Sequence, residues 1–446
     1  MAGRRWSVAV GAVLAAAGLL LAGPASPPAW AAPAWAAPGW AAPGWAAPPS
    51  TGGFGAPGRS PALPLPGEPP APERDPFYRQ PHGLDSYPPG TVLRSRPVTL
   101  PGLTALTSMR AYQLLYRTTD ATGHAIATVT TLLLPTVPGP GRRKLVSYHV
   151  AEDSLTTRCA PSYTLRTRLR SAQAGEIAAL LGQGWDVVVP DYEGPRSEFI
   201  VGPLEGRAAL DSIRAVERFG PAGLDGRRTP VGLMGYSGGS VPTVWANALA
   251  RDYAPELNLV GSAAGGIVAD PGALPGFLDG TAFAGAVIAA SVGIDRAYPE
   301  LDLPALLNAR GRALAERDAR DADGCAGGLT NAPFARISQL THYPDAAALL
   351  AVPRVERIVD KLNLITGPAP KAPSYFFNEI NDEIIPIEPV DRLVAANCAD
   401  GATIAYQRGK VGGHVVGGAA YSGPAMLFLR GRFAGRPAPN TCPERD

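Results

Sequence analysis

The chain has 446 residues, 46% of them hydrophobic and 17% charged, which is ample for one large core or two domains. The formal net charge is +2, and basic residues are not interleaved with aromatics, so nothing points to a nucleic-acid partner. Four cysteines without C-x-x-C spacing exclude the usual zinc and redox-dithiol patterns, and no metal or cofactor is expected.

Arg4 and Arg5 precede an apolar, uncharged run from Ser7 to Ala22, and Ala29-Trp30-Ala31 offers an A-x-A cleavage site. The run is short for a membrane span. The prediction is a signal peptide over residues 1–31, export, and no transmembrane span after its removal. Residues 30–48 then repeat Trp-Ala-Ala-Pro four times at a five-residue period. Proline at that spacing prevents a continuous helix or central strand, so 32–73 reads as a disordered Pro/Gly-rich linker. The repeats could instead attach the protein to the cell wall. An even cysteine count in an exported chain predicts two disulfides among Cys159, Cys325, Cys398 and Cys442, with three pairings open.

Folded structure is expected from about Asp75-Pro76-Phe77-Tyr78. Arg110–Arg117 and Ala125–Pro135 read as paired strands around the turn Asp120-Ala121-Thr122-Gly123, with His124 an exposed strand-end residue. Strand-helix units follow: strand Lys144–Val150, helix Ala172–Leu181, strand Trp185–Asp191, helix Arg207–Phe219. The apolar run at Val187–Val189 lacks alternation, as in a parallel sheet covered on both faces. A strand at Val231–Met234 leads through Gly235-Tyr236-Ser237-Gly238-Gly239 into a helix over Val244–Tyr253, and Leu257–Ala264 is the next strand. The alternation breaks over 270–354, where helical patterns dominate. A connection of that length is expected to be functional, here a cap over a site. Strand-helix order resumes at Ser374–Ile380, Pro389–Ala399, Thr403–Gln407 and a last helix, Ala425–Phe433.

Strand, G-x-S-x-G and helix form the nucleophile elbow of the α/β-hydrolases. The predicted fold class is therefore α/β: an α/β-hydrolase core at 74–269 and 355–446, with a mostly parallel sheet, helices on both faces, and a helical cap at 270–354. Serine at neutral pH is a weak nucleophile and needs a base, itself oriented by an acid. With Ser237 as nucleophile, the partners follow in the order acid, then histidine. His414, in the glycine-rich loop Val411-Gly412-Gly413-His414, is the expected base. His342 falls in the cap and reads as structural, and His149 ends a strand as a weaker competitor. Asp382, just past Ser374–Ile380, is the expected acid. Glu383 beside it would point the other way if the segment is extended, and Asp391 and Asp400 are expected to be solvated. The oxyanion needs two backbone N–H donors. Gly238 is expected to give one and Asp153 the other, with Ser154 the neighbouring alternative.

These residues resemble the secretory lipases, a family of yeast lipases of the lipase A type with many actinobacterial relatives. The matching stretches are Glu152-Asp153-Ser154, Cys159-Ala160-Pro161-Ser162-Tyr163 and Pro190-Asp191-Tyr192-Glu193-Gly194. The elbow, Tyr253-Ala254-Pro255-Glu256-Leu257-Asn258, Asn381-Asp382-Glu383-Ile384-Ile385-Pro386 and Gly413-His414 also match, over about 75–443 of the chain. The resemblance implies a Ser237/Asp382/His414 triad, hydrolysis of carboxylic esters including acylglycerols, and the pairings Cys159–Cys325 and Cys398–Cys442. The expected protein is a secreted, monomeric ester hydrolase meeting a lipid or ester substrate, with transient contact at a lipid–water interface. A short-chain esterase, an acyltransferase on envelope lipids and a non-catalytic surface-binding protein are the rival readings.

Overall fold

The computed structural model describes residues 68–167, 173–320, 325 and 327–443. The expected signal peptide, the Trp-Ala-Ala-Pro repeats and most of the expected linker lie outside the described residues. Of the linker's end, Ala71 and Pro72 are already buried and Glu73 pairs with Arg158, so packing begins a few residues ahead of Asp75.

Among the described residues nine strands form one sheet: β1 (Val92–Val98), β2 (Met109–Thr119), β3 (Ala125–Pro135), β4 (Leu145–His149), β5 (Asp186–Pro190), β6 (Val231–Tyr236), β7 (Leu259–Gly265), β8 (Ser374–Glu379) and β9 (Ile404–Gly409). Their order is β1-β2-β3-β5-β4-β6-β7-β8-β9. β1, β2 and β3 pair antiparallel, as do β3 and β5, and every pairing from β5 through β4 to β9 is parallel. β1 was not foreseen. Its Arg94, Arg96 and Pro97 carry no strand signal, and Pro is tolerated there because β1 is an edge strand bonded on one side only.

Eight longer helices carry the connections: α1 (Ala174–Gly182), α2 (Gly202–Arg218), α3 (Ser240–Tyr253), α4 (Gly285–Ala297), α5 (Ala309–Arg320), α6 (Pro353–Leu362), α7 (Ile387–Ala399) and α8 (His414–Phe433). Successive side chains of a strand point to opposite faces. Val187 and Val189 accordingly join Leu180 of α1 and Phe428 of α8 in one apolar layer, while Val188 joins Ile213 of α2 and Ala250 of α3 in the other. Both faces are covered, which is why β5 is apolar without alternation. From 266 to 373 the described chain is helical and irregular, holding α4, α5, α6 and several short helices between β7 and β8. Among the described residues no helix is long and apolar enough to cross a membrane.

Three helices start earlier than expected, and glycine or proline near the start misled the reading each time. α3 begins at Ser240, directly after the turn, with Pro242 in its first turn, where a missing N–H costs nothing. α8 begins at His414 rather than Ala425, running through Gly417, Gly418, Gly423 and Pro424. α2 begins at Gly202 rather than Arg207. Its glycines serve packing: a Cβ at Gly202 would lie 1.9 Å from Trp245 Nε1, and one at Gly206 would lie 2.8 Å from the Trp245 carbonyl carbon. α2 and α3 therefore touch backbone to side chain.

Both disulfides form, Cys159–Cys325 and Cys398–Cys442. The second fastens the C-terminal strand of chain along β9. There Thr441 N–H donates to Ile404 O at 2.7 Å, Asn440 Oδ1 accepts from Ile404 N–H at 3.1 Å, and Thr441 Oγ1 accepts from Tyr406 N–H at 2.9 Å.

Gly206→Ala forces a methyl into the α2–α3 contact, where the nearest atoms are backbone and cannot swing away. We expect it to destabilise the fold by about 1–3 kcal/mol, read as a lowered midpoint in urea denaturation. An unchanged midpoint would mean that the helices separate freely.

Candidate active site

Ser237 follows the last residue of β6 and opens the single turn Ser237–Gly239 that leads into α3. Its φ is 56°, in the left-handed region that a side-chain-bearing residue rarely adopts. The turn is held there by close approaches. A Cβ at Gly235 would lie 2.1 Å from Gly239 O, and one at Gly239 would lie 2.1 Å from His149 O. No other residue type fits at either position.

The structure brings Ser237, His414 and Asp382 together. Asp382 Oδ2 accepts from His414 Nδ1–H at 2.8 Å, which leaves Nε2 to accept from the Ser237 hydroxyl at 2.7 Å. The other carboxylate oxygen, Oδ1, accepts from the N–H groups of Ile384 and Ile385 at 2.9 and 2.8 Å. The carboxylate is thus fully solvated by the protein and buried, as is His414. His414 is not in a loop, as expected from its glycines, but is the first residue of α8. Its backbone is held at both ends: Glu383 Oε2 accepts from its N–H at 2.8 Å, and its carbonyl accepts from Tyr236 O–H at 2.7 Å. The Tyr236 ring also lies 5.2 Å from the imidazole. Glu383 therefore does not point away from the site, because Asn381–Ile385 is a tight turn rather than an extended segment. Tyr236 was not singled out in the sequence; its place directly before the nucleophile was the available signal.

Asp153 lies beside Gly238, with its own backbone left-handed at φ 46°. A Cβ on Gly238 would fall 1.9 Å from Asp153 Oδ1. No acceptor in the described protein takes the Asp153 N–H. Ser154, the alternative donor, is buried and accepts from Thr156 N–H at its hydroxyl. Loss of water around the Asp153 carboxyl pushes it up to about 6, against the pull of His414.

The other histidines stand apart. His149 is fully buried between Thr243 Oγ1 (2.6 Å) and Ser147 Oγ (2.9 Å). Burial depresses it to about 3, so it is a neutral strut between β4 and α3. His82, His124 and His342 are exposed. Asp391 accepts from Tyr406 O–H at 2.8 Å and lies near Arg408, and Asp400 caps the end of α7.

Around Asp153 sits a group of buried acids that sequence reasoning passed over. Burial raises Glu152, Glu193 and Glu205, and their mutual repulsion raises Glu152 and Glu193 further. Asp191, whose carboxylate accepts from Ser162 N–H at 2.8 Å, is pushed up to about 7 by burial. The signal was a charged residue inside an otherwise apolar flank, as in Asp191-Tyr192-Glu193-Gly194.

The helical segment between β7 and β8 encloses an apolar cavity of about 90 Å³, lined among others by Leu274, Val287, Leu301, Leu306, Leu349 and Val359. Cys159–Cys325 ties this segment to the chain just after Asp153.

A family model described as Secretory lipase matches residues 161–441. The chain is 35% identical to Lipase A of Arthroderma benhamiae over 401 residues, 86% of this chain and 84% of the relative. It is 37% identical to the Trichothecene C-3 esterase of Fusarium sporotrichioides over 371 residues, 78% of this chain and 80% of the relative. The X-ray structure of Candida antarctica lipase A in its closed state superposes with a TM-score of 0.78 at 32% identity, covering 84% of this chain and 88% of that one.

An acid raised in the folded state holds protons there that the unfolded chain releases once pH exceeds its ordinary value near 4. Unfolding then releases protons, so the contribution of these groups to stability is greatest at low pH. It declines as pH rises from about 4 until the raised values, about 6 for Asp153 and about 7 for Asp191, have been passed. We expect Tm to fall between pH 5 and pH 7, a window of about two units, and Glu205→Gln to flatten that slope. A wild-type Tm that rises across the window would mean that these acids are ionised in the folded protein.

Proposed function

This chain belongs to the secretory lipase family and is a secreted carboxylic ester hydrolase; we propose that Ser237, His414 and Asp382 carry the reaction. The observation that supports this best is the serine hydroxyl, held on a left-handed turn 2.7 Å from the imidazole Nε2.

Ser237 Oγ attacks the ester carbonyl carbon as its proton passes to His414 Nε2. Asp382, on Nδ1, fixes the tautomer and stabilises the imidazolium. The carbonyl oxygen becomes an oxyanion facing the N–H groups of Gly238 and Asp153, donors already in place before the charge develops. His414 then gives its proton to the departing alcohol, leaving an acyl-serine. Water, deprotonated by the same nitrogen, attacks that carbonyl, and the acid leaves as Ser237 regains its proton.

The substrate read from the site is an acylglycerol. The apolar cavity in the helical segment suits an acyl chain, so that segment acts as a cap as well as a spacer. Ile380, Val411, Val415 and Val416 are exposed aliphatic residues around the start of α8, beside His414, and suit a monomer that meets its substrate at an oily surface. A second reading, a short-chain or non-lipid esterase, is favoured by the 37% identity to a relative named as a trichothecene esterase.

Initial rates on p-nitrophenyl esters from acetyl to palmitoyl, with triolein alongside, separate the two. We expect rates to rise with chain length, and Ser237→Ala to lose at least about a thousandfold in kcat. Activity confined to acetyl and butyryl esters favours the esterase. Ser237→Ala at the wild-type rate would sink the mechanism.

A further inference from the structure

We propose that Glu383 is a positioning residue for the reaction, gripping the backbone of the histidine whose ring its neighbour Asp382 grips. This rests on the assignment of Ser237, His414 and Asp382 as the reacting groups.

The first N–H groups of a helix have no acceptor within the helix. His414 is the first residue of the 20-residue α8 and is 5% exposed, so neither the helix nor water satisfies its N–H. Glu383 Oε2 does so at 2.8 Å, with a charged acceptor at the positive end of the helix. Gly413 makes room for it, since a Cβ there would lie 2.1 Å from that oxygen. On the opposite side, Tyr236 O–H takes the His414 carbonyl at 2.7 Å. The residue after the acid thus holds the backbone N–H, and the residue before the nucleophile holds the backbone carbonyl. With the backbone fixed, the bonds to Asp382 and Ser237 need select only the two side-chain torsions of the ring. Positioning of this kind needs a tolerance of about 0.5 Å, which a frayed helical turn does not supply.

The carboxylate has a second effect. It adds negative charge beside the imidazolium formed when the serine gives up its proton. Asp382 on the same turn and Tyr236 from β6 touch that ring, Asp153 feels its charge, and Glu379 at the end of β8 acts on the Tyr236 phenol. The Glu379 carboxylate is turned to Val411 N–H at 3.2 Å. Asp382 is committed to Nδ1, so Glu383 is the carboxylate bonded to the helix end itself. A residue that merely capped α8 would change stability alone. One that positions the base changes the rate per folded molecule and its pH dependence.

The test compares wild type, Glu383→Ala and Glu383→Gln on a soluble p-nitrophenyl ester, with active sites counted by a fluorophosphonate. Glu383→Ala is expected to lower kcat about tenfold or more with KM within about twofold. Glu383→Gln keeps an oxygen acceptor without the charge. It is expected to recover part of kcat and to move the acid limb of the kcat/KM profile to lower pH. Should Glu383→Ala fail to fold, the nearly isosteric glutamine variant still decides. A glutamine variant with wild-type kcat per site and a wild-type pH profile overturns the proposal, whatever its Tm. A wild-type enzyme that takes no fluorophosphonate label overturns the triad assignment and this inference with it. Labelled wild type with an unchanged glutamine variant overturns this inference alone.

Discussion

Everything at the site depends on a serine being kept in a backbone conformation it would not choose. The left-handed turn at Ser237 is imposed by neighbours that pass too close for any side chain at Gly235 or Gly239. Those neighbours belong to the rest of the fold: β4 presses on the turn through the His149 carbonyl, and α3 follows it without a break. Strain at one residue, of order 1–3 kcal/mol, is thus offset by packing contributed by the whole sheet. The result is a hydroxyl whose hydrogen-bond partner among the described residues is the nitrogen of His414.

Much of this was legible in the sequence because it is local. Glycine flanking Ser237, an apolar run before it and a helix after it need no knowledge of distant residues. The scarcity of histidine narrowed the base, and chain order narrowed the acid. What stayed hidden depends on tertiary contacts. Gly202 and Gly206 lie ahead of the helix expected from Arg207, and their place in α2 becomes clear only with Trp245 lying against them. The start of α8 at His414 was masked by Gly417 and Gly418, yet Gly417 leaves space for the Tyr236 hydroxyl, as a Cβ there would lie 2.7 Å from it. Glu383 was dismissed by counting alternate sides of an extended chain, whereas Asp382 closes a turn by accepting two successive N–H groups. In the first two cases local propensity lost to a contact between residues far apart in sequence, and in the third an aspartate-closed local turn displaced the extended chain.

The electrostatics of the site come from two opposite treatments of carboxyl groups. Asp382 is buried but surrounded by donors, which keeps a carboxylate usable as a partner for the imidazole. Glu152, Glu193 and Glu205 are buried beside other acids, and burial favours their neutral forms. Asp153 lies between the two groups, raised by burial against the pull of His414 and in turn raising Glu205. Carboxyl groups around Ser237 are thus either held by hydrogen-bond donors or pushed toward the neutral form.

The tail fastened along β9 by Cys398–Cys442 bears on the protein's behaviour outside catalysis. β9 ends the sheet, and a parallel edge leaves a row of N–H and C=O groups open to any strand that comes alongside. Here Asn440 and Thr441 occupy that row with side-chain and main-chain bonds, and the disulfide keeps them in place. The opposite edge, β1, is guarded differently, by Arg94, Arg96 and Pro97. The cysteine pair thus helps to hold in place the short segment that stands between the edge of β9 and any strand coming alongside.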